Sequence, residues 1–273
     1  MSPELPDRAI EVNPCAEAGT KLECLWRSPL SVPKASSHEI HVWRIYLDLP
    51  ADQIHQLEKI LSPDEQLRAN RFHFERHKRR FIVSRASLRK TLGYYLESDP
   101  SRLEFSYGPR GKPVLASTND ARKLCFNMSH SNELALCVVT RNCSIGVDLE
   151  YIRPNPDVEL LAKNFFFSRE YEAISVFPPD RKQKEFFNLW TLKEAFLKAT
   201  GEGLRGLEHI EVSVSPWESQ ALLGINGTNQ TTCRWSIVQL IPAQDYTAAI
   251  AVEGEDWRFH LWQYELDTYS LEN

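Results

Sequence analysis

The chain has 273 residues, 42% of them hydrophobic and 25% charged, with a net charge of -5. These globular proportions allow one large domain or two of moderate size, with a core that needs no disulfide staples. The acidic balance argues against a general polyanion binder, and no stretch approaches the roughly 18 apolar residues of a membrane span.

Residues 1–37 carry five prolines and no sustained periodicity, and read as an N-terminal extension, disordered in part. Their start lacks the basic flank and apolar run of a signal peptide. Six cysteines, at 15, 24, 125, 137, 143 and 233, show neither C-x-x-C nor zinc spacing. Free thiols in a cytoplasmic protein are expected.

The folded part is expected to begin near His38. Residues His41 to Asp48 alternate as a strand. Ser62-Pro63-Asp64-Glu65 predicts a helix start, with Ser62 as N-cap and Glu65 closing a capping box. A second helix is predicted from Lys78 to Leu92, its apolar side Phe81, Leu88 and Leu92, stopping at Gly93. Leu103–Tyr107 reads as a strand and Gly108–Pro113 as a turn. Strands at 124–128 and 134–139 flank a Ser-His-Ser-Asn loop, and 143–150 forms another strand. Helices are predicted at 157–166, 168–176 and 181–200, the last ending at Gly201. Strands at 209–214, 221–225, 233–241, 246–252 and 257–264 complete an α+β chain. Strand, helices and strands occur in that order twice, which implies two similar α/β halves, 38–143 and 144–273.

Four patterns carry chemistry. In Gly146-Val-Asp148-Leu-Glu150, the i and i+2 positions of a strand share a face. Asp148 and Glu150 then form either a solvated edge or a seat for a hard cation such as Mg²⁺. In Trp190-Thr-Leu-Lys-Glu194-Ala-Phe-Leu-Lys198, Glu194 and Lys198 share a helix face. They form either a surface ion pair or a carboxylate base beside an ammonium for phosphate. Phe186, Phe187, Leu189 and Trp190 read as core. In Asn127-Met-Ser129-His130-Ser131, hydroxyl and imidazole can donate to phosphate oxygens, or simply cap a turn. Between Arg68 and Lys90 stand nine Lys/Arg against one acid, Glu75. They form either a solvated helix face or a grip for polyanions, and with Lys112 in the glycine-rich turn they suit a small phosphorylated ligand better than nucleic acid.

In this order and spacing, the basic helix, Gly-Lys-Pro, Asn-Met-Ser-His-Ser, Gly-Val-Asp-Leu-Glu and Trp-Thr-Leu-Lys-Glu-Ala-Phe-Leu-Lys resemble the surfactin-type 4'-phosphopantetheinyl transferases. The likeness runs from about His41 to at least Gly203, is expected to reach Tyr264, and leaves out the N-terminal extension. It implies two α/β halves related by a pseudo-twofold axis, with coenzyme A in the cleft between them. It implies Asp148, Glu150 and Glu194 as Mg²⁺ ligands, Glu194 also as base, and Lys198 at the phosphate and leaving group. It implies Ser129 and His130 at the pyrophosphate, Arg68 near the 3'-phosphate, Lys112 near the nucleotide, and Arg80 as a further ligand contact. One departure is Glu65, three residues before Arg68, where a better-known member carries lysine. The implied partner is an acyl or peptidyl carrier protein, and the implied state a monomer. The rival readings are a Mg²⁺-dependent phosphohydrolase, a silent carrier-binding module and a nucleic-acid binder. Aromatic residues Phe165, Phe166, Phe167 and Tyr171, within 157–177, are the expected carrier-docking surface.

Overall fold

The computed structural model describes residues 10–11, 22–23, 26–29, 34–108, 111–116, 124–155, 157–212, 222–225 and 235–266. Most of the N-terminal extension lies outside the described residues, as do residues 109–110 of the predicted turn and 213–214, 221 and 233–234 of three predicted strands. In chain order, two short strands come first, β1 (Ile10–Glu11) and β2 (Leu22–Glu23), followed by β3 (Glu39–Tyr46). Helices α1 (Ala51–Glu58), α2 (Pro63–Ala69) and α3 (Glu75–Leu96) follow. A small hairpin, β4 (Phe105–Tyr107) and β5 (Pro113–Leu115), leads to β6 (Leu124–Ser131), β7 (Leu134–Arg141) and β8 (Ile145–Tyr151). Then come α4 (Val158–Phe165), α5 (Ser168–Ser175) and α6 (Pro179–Thr200). Strands β9 (Ile210–Val212), β10 (Leu222–Ile225), β11 (Trp235–Ile241), β12 (Tyr246–Glu253) and β13 (Arg258–Gln263) close the chain.

The strands form two principal sheets, in the orders β1-β13-β3-β7-β6 and β2-β11-β12-β8. Alternation decides how they stack. On β3, Trp43 and Ile45 face α3 in one core, while Ile40 and Val42 face the other sheet in a second core. On β8, Ile145, Val147 and Leu149 enter that same middle core. A third core lies between α6 and the second sheet, where Leu192, Ala195 and Phe196 meet Ala249 and Ala251. Phe186, Phe187 and Leu189 belong to it, with Trp190 packed at its border, as expected. The order of layers is therefore α3, sheet, sheet, α6.

Several boundaries differ from the sequence reading. Helix α3 does not stop at Gly93 but runs to Leu96, ending at Glu97 in the left-handed region (φ 50°). Gly93 serves a close approach instead: a Cβ there would stand 2.8 Å from the Ser98 carbonyl oxygen. Helix α1, flanked by Pro50, was not expected. The Ser-His-Ser segment is not loop, because β6 continues through Ser131 and the turn narrows to Asn132-Glu133, with Asn132 at φ 52°. In the extension, β1 and β2 add edge strands to the two sheets. The last strand, β13, pairs parallel with β3 and so joins the chain's end to the start of the first sheet.

Among the described glycines, the closest approach is at Gly146, between β8 and α6. A Cβ on Gly146 would stand 2.1 Å from the Ala195 carbonyl oxygen and 2.4 Å from the Ala199 amide nitrogen. Neither atom belongs to a flexible side chain, so only glycine fits. Gly146→Ala should destabilise the chain by at least the ~1–3 kcal/mol of ordinary overpacking. Urea unfolding measures it, as a lower midpoint at unchanged m-value. Gly108→Ala, whose Cβ meets nothing nearer than 3.7 Å, should leave the midpoint almost unmoved.

Candidate active site

The Gly146 contact sets Ala195 and Ala199 of α6 on β8, and their chain neighbours Glu194 and Lys198 arrive beside the carboxylates of Asp148 and Glu150. Lys198 Nζ donates to Asp148 Oδ1 at 2.6 Å and to Ser129 Oγ at 2.9 Å. Ser129 Oγ donates to the same Asp148 oxygen at 3.1 Å. Ser131 Oγ donates to Glu150 Oε2 at 3.0 Å and accepts from the Tyr151 amide at 3.1 Å. Three of the expected residues, Ser129, Asp148 and Lys198, are thus tied together by hydrogen bonds, and Glu150 and Glu194 couple to them electrostatically.

Strands β6 and β8 are the adjoining edges of the two sheets, and no backbone ladder joins them. Side chains make the junction. Asn127 Oδ1 accepts from the Val147 amide at 2.9 Å. Asn127 and Ser131 are therefore site residues whose roles were not assigned from sequence. Their signal was present, since both alternate with Ser129 along one strand face.

The electrostatics follow from burial and crowding. Burial, then the Asp148 charge, pushes the Glu194 carboxyl up to about 7, with Lys198 opposing. Burial, then Asp148, also raises Glu150, with Ser131 and Lys198 opposing. Asp148 Oδ2 and Glu194 Oε1 are buried without a hydrogen-bond partner. Three carboxylates, two of them with an orphan oxygen, are of the donor type that a hard divalent cation of the Mg²⁺ kind takes, although their oxygens do not all lie within 4.8 Å of one another. His130 is held below the usual imidazole range by burial first, then by the cations Lys198, Arg68 and Arg80.

The remaining expected contacts stand around this centre with partners of their own. Arg68 lies over the Phe81 ring, 5.3 Å from its centroid. Arg80 grips Asp48 through two 2.6 Å hydrogen bonds and reaches Asn132 Oδ1 at 2.9 Å. Lys112 donates to the Lys198 carbonyl at 2.6 Å and the Ile145 carbonyl at 3.2 Å, so it clasps the end of α6 to the start of β8. Glu65 is buried and held by Arg85 and Arg89, each at 2.6 Å, while its Oε2 also completes the capping box on the Ser62 amide. Sequence spacing carries no trace of these partners.

Lys193 of the same helix motif faces away from the site. It forms a fully buried ion pair with Glu170 at 2.5 Å, and Glu170 also accepts from the Val212 and Phe167 amides. Of the four aromatic residues expected at a docking surface, Phe166 instead belongs to the core, stacked on Phe186. Phe167 and Tyr171 are half-buried. Phe165 is exposed, and Leu160 and Val176 join it as exposed apolar residues.

Two family models cover most of the chain: the 4'-phosphopantetheinyl transferase superfamily over residues 144–251, and a 4'-phosphopantetheinyl transferase N-terminal model over residues 50–142. The 4'-phosphopantetheinyl transferase HetI of a Nostoc species is 47% identical over 84% of this chain and 93% of its own length. A putative 4'-phosphopantetheinyl transferase of Synechocystis is 38% identical over 60% of this chain and 66% of its own. The 4'-phosphopantetheinyl transferase Sfp of Bacillus subtilis is 30% identical over 60% of this chain and 71% of its own. With this identity sustained along the chain, and the carboxylate–lysine centre in place, the chain belongs to the 4'-phosphopantetheinyl transferase family.

Proposed function

We propose that this enzyme moves the 4'-phosphopantetheine group of coenzyme A to a serine hydroxyl of an acyl or peptidyl carrier protein, releasing 3',5'-ADP. The observation that carries the site assignment is the group of Asp148, Glu150 and Glu194 with Lys198, formed where α6 presses on Gly146. Glu194, at about 7, accepts the serine proton as the hydroxyl oxygen attacks the β-phosphorus. The new P–O bond forms as the pyrophosphate P–O bond breaks. Lys198 moves from Asp148 to the phosphate oxygens and stabilises the charge of the departing nucleotide. Ser129 and His130 donate to the pyrophosphate and orient it. Arg68, Arg80 and Lys112 supply the positive surroundings in which a triphosphorylated ligand is held. Asp148, Glu150 and Glu194 are the proposed Mg²⁺ ligands, and the bound ion would neutralise charge on the pyrophosphate. Positioning and electrostatics thus supply most of the catalysis.

We also read the fold as two similar α/β halves, 38–143 and 144–273, related by a pseudo-twofold axis with the site between them. Two 22-residue helices, α3 and α6, one on each principal sheet, support that reading. A monomer in the cytoplasm is the proposed state. The free thiols of Cys137 and Cys143 suit a reducing compartment, and no helix among the described residues is long and apolar enough to cross a membrane.

Intact mass of an apo acyl carrier protein, after incubation with the chain, coenzyme A and Mg²⁺, tests the reaction. A gain of one phosphopantetheine is expected, and Glu194→Gln should slow it by the ~10²–10⁴-fold of a lost proton acceptor. Coenzyme A cleavage with no carrier modified would instead identify a hydrolase.

A second prediction concerns pH. The Glu194 carboxyl is raised from 4.5 to about 7 by folding, so between these values the folded chain holds a proton that the unfolded chain has lost. Stability of the metal-free chain must then fall as pH rises through that window. Differential scanning fluorimetry should show the fall, a shallower one in Glu194→Gln, and a Mg²⁺-induced rise in Tm greatest at the upper end.

A further inference from the structure

A second group of ligand-type side chains lies away from the carboxylate–lysine centre, where β3 and β13 run side by side. Glu39 and His41 occupy i and i+2 of β3, and His260 of β13 stands in register with His41. All three fall on the sheet face that carries Trp43 and Trp262, beside Tyr95 in the last turn of α3. Among the described residues, this is the one group of three His, Cys, Asp or Glu side chains whose donor atoms all lie within 4.8 Å of one another. His41 Nε2 is 3.9 Å from Glu39 Oε2, and His260 Nε2 is 3.7 Å from Glu39 Oε1.

The ring orientations suit a ligand. His41 Nδ1 is hydrogen-bonded to the Tyr95 hydroxyl at 2.7 Å, and that hydroxyl also accepts from Trp43 Nε1 at 2.9 Å. With Nδ1 held from behind, Nε2 is the atom turned toward Glu39 and His260, the outer-partner arrangement that fixes a metal-binding imidazole. His260 stacks on Trp262 at an interplanar angle of 11°, and its Nε2 is buried with no hydrogen-bond partner. Glu39 Oε2 accepts from the Ser36 amide at 2.9 Å, which holds the carboxylate in place. Two cations stand near the group: Arg141, whose Nε is engaged with the Ala35 carbonyl, and Arg258, which is in register with Glu39.

We propose that Glu39, His41 and His260 form a zinc site that staples β13 to β3. Two imidazoles and one carboxylate make a borderline donor set, suited to Zn²⁺ and unlike the all-oxygen set proposed for Mg²⁺. With a water as fourth ligand, the coordination would be tetrahedral. The ion would tie the chain's last strand to its first long strand. It is a structural role, independent of the transfer reaction.

The test uses the full chain, stripped with chelator and kept in excess Mg²⁺ to occupy the oxygen-donor site. Zn²⁺ alone is then added, and metal retained after dialysis is measured with Tm. One Zn²⁺ per chain and a raised Tm are expected. His260→Gln and Glu39→Gln, at partly exposed positions, should keep the metal-free Tm and circular dichroism of the parent. They should bind Zn²⁺ more weakly by at least the ~10–100-fold that losing even an outer partner costs. With Co²⁺ as probe, visible d–d bands should appear without a near-ultraviolet thiolate band. No retained Zn²⁺, equal retention in both variants, or a thiolate band that assigns the metal to cysteine would each overturn the proposal.

Discussion

The site depends on one backbone contact, the seating of α6 on Gly146 of β8. A residue with any side chain at 146 would lift the helix, since Ala195 and Ala199 offer only backbone atoms at that point. With the helix seated, two local periodicities meet. The strand presents Asp148 and Glu150 on one face by its period of two, and the helix presents Glu194 and Lys198 on one face by its period near four. Each pair alone is ordinary. Brought together in a half-buried place, three carboxylates and one ammonium do not balance, and Glu194 responds by holding its proton to about 7. The imbalance is a local cost to stability and a source of function, because the same crowding makes a proton acceptor and a cation seat.

Around that contact, charged side chains act chiefly as clamps. Lys112 clasps the end of α6 to β8, Arg80 ties α3 to Asp48 and the β6–β7 turn, and Glu65 anchors two arginines of α3. Glu65 explains the departure from lysine three residues before Arg68. A buried carboxylate at this place is compensated by two guanidinium groups and a capping amide, so it orders α2 against α3 and leaves Arg68 to face outward. The departure thus changes what holds the helices together, while Arg68 and Arg80 still contribute their charge to the surroundings of His130.

How much of this was legible follows from the range of each interaction. Local signals read well: the Ser62–Glu65 capping box forms, α6 ends at a left-handed Gly201, and Ile145, Val147 and Leu149 alternate into the core. Gly93 misled because a glycine can mark a close approach as readily as a stop, and the chain at Ser98 and Pro100 that needs its missing side chain is local only in space. Ser129–Ser131 read as loop because the residues are polar, yet their hydrogen bonds to β8 let polar side chains continue a strand. The parallel pairing of β13 with β3 joins residues more than two hundred positions apart, and no periodicity within either strand encodes the other. The clamps of Lys112 and Arg80 were invisible for the same reason: a lysine or arginine carries no record of its partner.

Adjacent residues of α6 set the rotation of the helix. Lys193 and Glu194 follow one another, so they point about a quarter-turn or more apart on the helix. Lys193 enters a fully buried pair with Glu170 of α5, and Glu194 enters the carboxylate group on β8. Burial works against both charges of the pair, raising Glu170 and lowering Lys193, so the pair adds little net stability. Its contribution is register. A slip of one residue along α6 would strand Lys193 without its anion and carry Glu194 off the β8 face, and both penalties fall together. Gly146 fixes how near the helix lies, and the Lys193–Glu170 pair fixes its rotation. Together these two constraints leave one orientation in which a carboxylate and an ammonium, four residues apart, reach the strand.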